Sequence, residues 1–265
     1  MNRLQGVYII WYRDLLRFWR DKARLFTSFI QPLFFLVIFG TGISSATLLK
    51  GELSSYDYRE FVFPGIIAMI VLFTSIMWGV SIVWDREFGF LKEVLIAPIS
   101  RTAVALGKTL GGATIATFQG TVMLAFAPVA GVELSPFQGV QLIGLMFVFA
   151  LSLTALGIFA ASRIRTMEGF QVVMQLLLFP LFFLSPALFS VKNVPDWLGV
   201  LVRMNPVSYG VDSFRQVVLS SAAGSSISGL TLFGHHTSIV EDIALVAIFG
   251  VVMVSLAVWS FGTQE

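Results

Sequence analysis

Residues 61–84 read FVFPGIIAMIVLFTSIMWGVSIVW and contain no Asp, Glu, Lys or Arg. A helix rises about 1.5 Å per residue, so about 20 apolar residues cross a hydrocarbon layer roughly 30 Å thick. A charged side chain at the centre of that layer costs roughly 2.5–3.5 kcal/mol on insertion scales. The stretch is therefore predicted to be a membrane-spanning helix.

Five further stretches share this length and this lack of charge. The chain has 17 basic and 15 acidic residues among 265, and all of them fall outside the six apolar stretches. A composition of 57% hydrophobic and 12% charged residues also excludes an ordinary soluble domain. We predict an all-α membrane protein with a single transmembrane domain over residues 1–265 and six spans, at residues 25–46, 61–84, 109–131, 139–161, 169–191 and 243–262.

Few residues of this chain are suited to catalysis or metal binding. There is no cysteine, which excludes disulfides, thiol chemistry and Cys-ligated metal sites. The two histidines, His235 and His236, are adjacent and are predicted to lie in a polar loop. Lys108 lies in a Gly-Lys-Thr sequence that lacks the earlier glycine of a phosphate-binding loop, so we interpret it as a headgroup anchor. No catalytic residue, metal, bound cofactor or nucleic-acid partner is predicted.

Lys and Arg are unevenly shared between the two sides of the predicted membrane. Of these 17 residues, 12 lie before the first span, between spans two and three, or between spans four and five. The side richer in Lys and Arg is usually cytoplasmic. Both termini are therefore predicted to be cytoplasmic.

Residues 1–24 have the pattern of an amphipathic helix that lies on a membrane surface. One face is apolar and includes Trp11, while Arg13, Arg17, Arg20 and Arg24 form the opposite face. Aromatic rings at the headgroup level and arginines near lipid phosphate suit such a helix. The alternative is a solvated helix that contacts a partner subunit, and the two interpretations are compatible.

A second short helix is predicted between spans two and three, on the cytoplasmic side. Residues 85–98 read DREFGFLKEVLIAP, and Phe88, Leu91 and Leu95 share one helical face among charged residues. A mixed-charge helix with an apolar stripe suits docking into the groove of a partner, and the alternative is a helix lying on lipid. Ser100 or Thr102 is predicted to cap the next helix.

The longest segment between predicted spans, residues 192–242, is assigned to the outer side. Residues 195–202 and 209–220 could each form a short amphipathic helix, and Met204, Asn205 and Pro206 between them are a turn signal. These helices are too short to span a membrane. They could dip into the outer leaflet or cap the surface, and the sequence does not decide between the two.

Aromatic side chains are plentiful in the predicted spans, where polar groups are few. Phe35 and Phe39 in span one and Phe182 and Phe183 in span five are candidates for the lining of a transport path. An aromatic, uncharged lining suits lipids, glycolipids, apolar drugs or lipid-linked polysaccharide. The alternative is that these rings face lipid or neighbouring helices.

The predicted cytoplasmic helix resembles a stretch of the permease subunits of type 2 ABC exporters. Residues 85–101 are similar to the pattern E-x-G-T-L-E-x-L-L-x-x-P-x-S-R of that family. Phe90 stands where Thr is common, and Lys92 precedes the matching Glu93. The branch that contains the daunorubicin-resistance and Nod-factor export permeases is the most similar.

The outer segment resembles the same family. Asn205, Pro206, Tyr209 and Arg215 match the pattern N-P-hydrophobic-[ST]-Y-x-x-[DE]-x-[FL]-R. The order of elements agrees along nearly the whole chain: a basic N-terminal helix, two spans, a cytoplasmic helix, three spans, an outer helical hairpin and a last span.

The resemblance implies a half-transporter of a bacterial or archaeal cytoplasmic membrane. Two permease subunits, with a homodimer favoured, would pair above two copies of a separate ABC ATPase that binds ATP and Mg. The cytoplasmic helix would be the coupling helix, and its contacts with the ATPase would come from Glu87, Phe88, Leu91, Lys92, Glu93 and Leu95.

The resemblance also implies roles for the two other short helical regions. The N-terminal helix would add a second contact through Trp11, Arg13, Arg17 and Arg20. The outer segment would form a gate held by Asn205, Pro206, Tyr209 and Arg215.

Other function classes are less well supported by the residues. A membrane enzyme acting on lipid would need His, Asp or Glu at a membrane face, where the chain offers Asp85, Glu87, Glu93 and Glu168 on the inner side. A channel or ion-coupled carrier usually needs a carboxylate within the membrane, and the six stretches contain none. A non-catalytic membrane scaffold is a further alternative.

Overall fold

The computed structural model describes residues 3–22, 26, 30, 34, 37–38, 58–87, 100–189, 194–220, 230–232 and 235–262. Nearly all of these residues are helical. Among them, three helices are long and apolar enough to cross a membrane, over Arg59–Glu87, Pro136–Arg163 and Ile239–Phe261. These three coincide with predicted spans two, four and six.

The described part of the chain contains one pair of short strands and a series of helices. Thr231–Leu232 (β1) and His235–His236 (β2) form one antiparallel pair, so the two histidines lie exposed on a short strand. The helices are α1 (Arg3–Arg20), α2 (Tyr58–Met77), α3 (Val80–Glu87), α4 (Arg101–Leu124), a 3-10 helix (Ala127–Ala130), α5 (Pro136–Arg163), α6 (Met167–Phe183), α7 (Asp196–Met204), α8 (Pro206–Leu219) and α9 (Ile239–Gly262).

The third predicted span is displaced in the structure. The apolar stretch covers residues 109–131, whereas α4 begins at Arg101 and ends at Leu124. Beyond α4 the chain turns through the 3-10 helix to Gly131, whose φ of 78° is a left-handed conformation that favours glycine. Hydropathy misplaced the boundaries because the helix continues through Lys108, whose charge is compensated by neighbouring helices.

Two other predicted segments are only partly described. In the first predicted span, Phe26, Ile30, Phe34, Val37 and Ile38 are helical, and the rest of residues 25–46 lie outside the described part of the chain. The predicted coupling helix is described as far as Glu87, and residues 88–99 lie outside. In the fifth predicted span, residues 169–191, α6 is helical for 17 residues and ends at Phe183.

Local sequence chemistry explains where several helices begin. Ser100, one of the two predicted caps, accepts a hydrogen bond from the backbone N–H of Ala103 at 3.2 Å. Ser135 and Gln138 exchange side-chain and backbone hydrogen bonds at the start of α5, which is a capping box. Thr166 caps α6 by accepting a hydrogen bond from the Gly169 N–H at 3.2 Å. These caps satisfy N–H groups that have no partner within the helix.

α5 is the central helix, in contact with α2, α3, α4, α8 and α9. A Cβ atom added to Gly157 in α5 would lie 2.3 Å from the Ile76 carbonyl oxygen. One added to Gly79, between α2 and α3, would lie 2.4 Å from the Gly157 carbonyl oxygen. Glycine at both positions therefore allows the two backbones to touch, as small residues do in other membrane bundles.

Replacement of Gly157 tests this backbone contact. We expect Gly157→Val to lower the free energy of unfolding by about 1–3 kcal/mol, because the new side chain overfills the interface. The measurement is the thermal unfolding midpoint of the detergent-solubilised protein. Gly144→Val is the matched control, because a Cβ at Gly144 of the same helix meets nothing within 4 Å. Equal midpoints for the two variants would show that the contact is dispensable.

Candidate functional site

α1 packs lengthwise against α4. Its buried face combines Ile10, Asp14 and Phe18, which are spaced four residues apart and lie on one side of the helix. A Cβ at Gly107 of α4 would lie 2.8 Å from the Ile10 Cβ atom, so glycine lets α1 approach closely. Trp11 also donates a hydrogen bond to the Thr114 hydroxyl of α4 at 3.1 Å.

A buried lysine joins three helices at this interface. Lys108 of α4 is only 1% exposed. Its Nζ lies 2.7 Å from Oδ2 of Asp85 in α3 and 3.4 Å from Oδ2 of Asp14 in α1. The Ser81 hydroxyl, also in α3, lies 3.2 Å from the same nitrogen. A lysine removed from water needs such partners, because an unpaired buried charge is strongly destabilising.

Two arginines of α1 complete what we call the ionic cluster, namely Arg13, Asp14, Arg17, Asp85 and Lys108. Arg13 Nη2 lies 3.0 Å from Asp14 Oδ1 and 3.4 Å from Asp85 Oδ2. Arg17 Nη1 lies 3.6 Å from Asp85 Oδ1, and its guanidinium group lies 5.4 Å from the centroid of the Trp84 ring. Three positive and two negative groups are thus gathered where α1, α3 and α4 meet.

The ionic cluster corrects one interpretation made from the sequence. The interpretation of Lys108 as a headgroup anchor is wrong, because its partners are buried carboxylates. Arg13 and Arg17 pair with Asp14 and Asp85, and their predicted contact with lipid or a partner subunit stays a prediction. Arg20 is exposed. A signal was present in the sequence, because Asp14 stands four residues from Ile10 and Phe18 on an otherwise apolar face.

The residue after Asp85 ties α3 to a fourth helix. Arg86 donates hydrogen bonds to the carbonyl oxygens of Ile164 at 2.9 Å and Ser162 at 3.2 Å, where α5 ends. A cation at this position also suits the negative end of the helix dipole. Glu87 follows and is exposed. Neighbouring charged residues therefore fix the end of α3, which is also the start of the predicted coupling helix, residues 85–97.

Of the residues predicted to contact an ATPase, Glu87 lies within the described part of the chain. The others lie outside it: Phe88, Leu91, Lys92, Glu93 and Leu95. Phe35 and Phe39 of the predicted transport path also lie outside the described residues.

The other two aromatic candidates of the transport path differ in exposure. Phe182 is 4% exposed and lies 6.1 Å from Phe73, ring centroid to centroid, so it belongs to the core. Phe183 is 56% exposed and stacks on Phe179 at 6.1 Å.

The opposite end of the bundle contains α7 and α8, which lie where the sequence predicts two short helices. Asn205 forms the turn between them, and Pro206 is the first residue of α8. The Asn205 side chain accepts a hydrogen bond from the Val207 N–H at 3.0 Å and donates one to the Leu181 carbonyl oxygen of α6 at 2.7 Å. One amide group therefore caps α8 and ties it to α6.

Tyr209 and Arg215 are held inside this hairpin. The Tyr209 hydroxyl donates to the Arg203 carbonyl oxygen of α7. Burial raises the pKa of Tyr209, so the phenol stays protonated. Arg215 is 5% exposed, donates to the Pro186 carbonyl oxygen and lies 4.0 Å from the centroid of the Phe61 ring. The four predicted gate residues thus lie in one hairpin, bonded to its neighbours.

α8 lies within the bundle rather than on its surface. Gln138, near the start of α5, donates to the Val217 carbonyl oxygen at 3.1 Å. Phe149, near the middle of α5, lies 5.5 Å from Phe214. On α5 these two contacts lie 11 residues apart, a rise of about 16 Å. α8 packs against α2, α5 and α9, and its depth in a bilayer stays a prediction.

Gln216 of α8 links the hairpin to α9, and sequence reasoning missed this contact. Its Nε2 lies 2.9 Å from carboxylate oxygens of both Asp212 and Asp242. Asp212 also accepts a hydrogen bond from the Leu230 N–H at 2.9 Å. Asp242 is fully buried and lies just before the apolar stretch 243–262, but inside the candidate spanning helix. Hydropathy alone did not identify it as a buried group.

A cavity of about 510 Å³ opens beside the hairpin. Its wall combines carboxylates and small polar groups with the apolar end of α8, an arrangement suited to a ligand with both polar and apolar parts. The lining residues are Glu60, Gly131, Val132, Glu133, Leu134, Ser135, Gln138, Val218 and Leu219.

Substitution of Asn205 tests the role of its side chain in the hairpin. We expect Asn205→Ala to lower the free energy of unfolding by about 1–2 kcal/mol, because the α8 cap and the bond to Leu181 are lost together. Asn205→Ser keeps a cap but cannot reach Leu181, so its thermal unfolding midpoint should fall between those of wild type and Asn205→Ala. An unchanged midpoint in Asn205→Ala would contradict this role.

Comparison with known proteins places these features in context. The model of the family described as "ABC-2 type transporter" matches residues 5–219 of the chain. The ionic cluster and the α7–α8 hairpin both fall within this range, whereas α9 lies beyond it.

Relatives named as transport permeases align with much of the chain. "Putative transport permease ycf38" of Cyanophora paradoxa is 26% identical over 252 residues, which are 94% of this chain and 86% of the relative. "Inner membrane transport permease YadH" of Escherichia coli K12 is 26% identical over 251 residues, 92% and 88% of the two chains. "Probable multidrug ABC transporter permease YbhR" of the same organism is 30% identical over 174 residues, 63% and 46%.

Proposed function

The chain belongs to the ABC-2 type transporter family, and we propose that it is the permease subunit of an ATP-driven exporter. Its relatives are named as transport permeases, and its apolar helices are those of a membrane-embedded protein. ATP hydrolysis belongs to a separate ABC ATPase subunit, which binds ATP and Mg. The daunorubicin-resistance and Nod-factor branch is the part of the family that we propose for it.

The proposed topology has six spans, with both termini in the cytoplasm of a bacterial or archaeal cell. The distribution of Lys and Arg supports this orientation. On this assignment the ionic cluster lies at the cytoplasmic end, and the α7–α8 hairpin lies at the outer end. The third span is α4, although Lys108 makes it less apolar than the other spans.

The observation that carries the proposal is the anchoring of α3. Asp85 pairs with Lys108 of α4, and Arg86 bonds to the last carbonyl groups of α5. Exposed Glu87 follows in the same segment, residues 85–97, which resembles a coupling helix. A force applied by an ATPase to this segment would therefore reach several helices at once. Nucleotide binding can drive such a movement by favouring one of two arrangements of packed helices over the other.

The proposed assembly contains two permease subunits, as a homodimer, and two ATPase subunits. The α7–α8 hairpin is the outer gate in this proposal, since Asn205, Tyr209 and Arg215 tie it to α2 and α6 and hold its own turn. ATP binding would tilt the spans so that the central path opens outward, in an alternating-access cycle.

The proposed cargo is amphipathic or hydrophobic: a lipid, glycolipid, lipid-linked polysaccharide or drug. The mixed polar and apolar cavity beside the hairpin supports cargo with a polar head. The name of one relative refers to multidrug transport. A lipid-modifying enzyme is the weaker alternative, because Asp85, one of its candidate catalytic groups, is buried in ion pairs.

Charge reversal in the proposed coupling helix tests this function. We expect Glu93→Lys to insert normally, to weaken ATPase binding by about fivefold or more, and to uncouple ATP use from export, because an interface charge is reversed. The measurements are the amount of ATPase that co-purifies in mild detergent and its ATP turnover. Glu168→Lys is the matched control, since Glu168 is exposed near the same end of the bundle.

Two results would contradict the proposal. Purified wild type without any ATPase would overturn the transporter assignment itself. Normal ATPase binding and turnover in Glu93→Lys would overturn only the assignment of residues 85–97 as the coupling helix.

A further inference from the structure

We propose that the ionic cluster clamps α1, α3 and α4 into one rigid unit, so that the coupling segment moves the N-terminal helix and the third span together. Lys108 is the positioning residue of this clamp. The inference rests on the proposed function, since it concerns how a movement caused by the ATPase enters the bundle.

The geometry of the charges makes separation of these helices costly. Lys108 is buried between a carboxylate of α1 and a carboxylate of α3. Withdrawal of either helix would leave charged groups buried without a partner, which costs far more than loss of an exposed ion pair. Arg13 lies within 3.4 Å of both carboxylates and ties the same helices a second time.

The packing of α1 gives the clamp a mechanical consequence. α1 meets the described part of the bundle chiefly along α4. It lies close against Gly107 and Gly111, where added Cβ atoms would be 2.8 Å from Ile10 and 3.4 Å from Asp14. Because α1 rests on α4, it follows wherever α4 moves.

A break in the helical path supplies a hinge between this unit and the rest of span two. The Gly79 N–H bonds to the Ile76 carbonyl oxygen at 3.1 Å, and the Ser81 and Ile82 N–H groups bond to Trp78 and Gly79 at 3.0 Å. These bonds connect residues three apart, and such 3-10 geometry within a helix often marks a functional hinge. The hinge lets α3 change direction relative to α2 while the charges of α3 stay joined to α1 and α4.

Movement of this unit must shift the packing of α3 against α5 and α6 and of α4 against α2 and α5. Arg86 supplies a polar contact at the end of α3. It joins α3 to α5 through neutral carbonyl oxygens, and its side chain is only half-buried. Hydrogen bonds of this kind are weaker than the ion pairs of Asp85 with Lys108 and Arg13. Movement of the unit would exchange these bonds for bonds to water.

A covalent bond in place of the ionic clamp tests the inference. The chain has no cysteine. A Cβ at Gly111 would lie 3.4 Å from the Asp14 Cβ, close to the separation in disulfides. The variant combines Asp14→Cys with Gly111→Cys and is purified with its ATPase in lipid nanodiscs. Asp14→Cys alone, under the same oxidant, is the control.

The measurements need no knowledge of the cargo. They are ATP turnover and the change in backbone hydrogen exchange of α8 on trapping with ATP and vanadate. In its reduced form the double variant should still hydrolyse ATP. Its change in hydrogen exchange at α8 should be at least about fivefold smaller than that of wild type, because Asp14 is missing. Oxidised, it should recover the wild-type response, because α1 and α4 are joined again.

Each other outcome overturns the inference. Loss of the α8 response on oxidation, with ATP turnover retained, would show that α1 and α4 must separate. A full response in the reduced double variant would show that the clamp is unnecessary. If the variant does not fold, the same measurement on wild type tests the clamp. Protection of α1 and the first half of α4 from hydrogen exchange should be equal with and without nucleotide. Unequal protection would overturn the inference. Wild type without a bound ATPase overturns the proposed function as well.

Discussion

A polar group within a bilayer has only the partners that the protein itself provides, and this constraint shapes the whole bundle. The carbonyl groups at the ends of helices are met by side chains from other helices. Arg86 serves the end of α5, Arg101 reaches the Phe261 carbonyl at the end of α9, and Asn205 and Gln138 serve α6 and α8. Because each donor belongs to a different helix from its acceptor, satisfying the helix ends also fixes how the helices are placed relative to one another.

The sequence predicted those features that depend on one segment at a time. Hydropathy predicted the three long apolar helices at the second, fourth and sixth predicted spans, because a long apolar stretch needs no knowledge of its neighbours. The Ser100 cap and the turn at Asn205 follow from local backbone chemistry. The burial of Lys108 in α4 could not be predicted in this way, because its partners Asp14 and Asp85 are distant in sequence.

The candidate site shows the same division. Asn205, Tyr209 and Arg215, which the sequence pattern grouped together, lie within one hairpin, and their role as a gate stays a prediction. Gln216 and Asp242 were missed, because their contact joins α8 to the start of α9 across an intervening loop. The six-span count, the partner subunits and the cargo stay predictions, since they depend on chains, ligands and segments that lie outside the described residues.

Two kinds of contact hold the central helices, and they differ in what they permit. α2 and α5 meet backbone to backbone at Ile76 and Gly157, where steric fit leaves little room for a second arrangement. α3 and α4 meet through charges, and burying charges is a poor way to gain stability, since apolar side chains of similar size often do as well or better. Charges instead define the relative positions of the helices, because Lys108 favours those positions of α1 and α3 in which both carboxylates reach it. Such a contact at the start of the proposed coupling segment, with steric contacts farther in, suits the proposed movement of the helices as defined units rather than by continuous deformation.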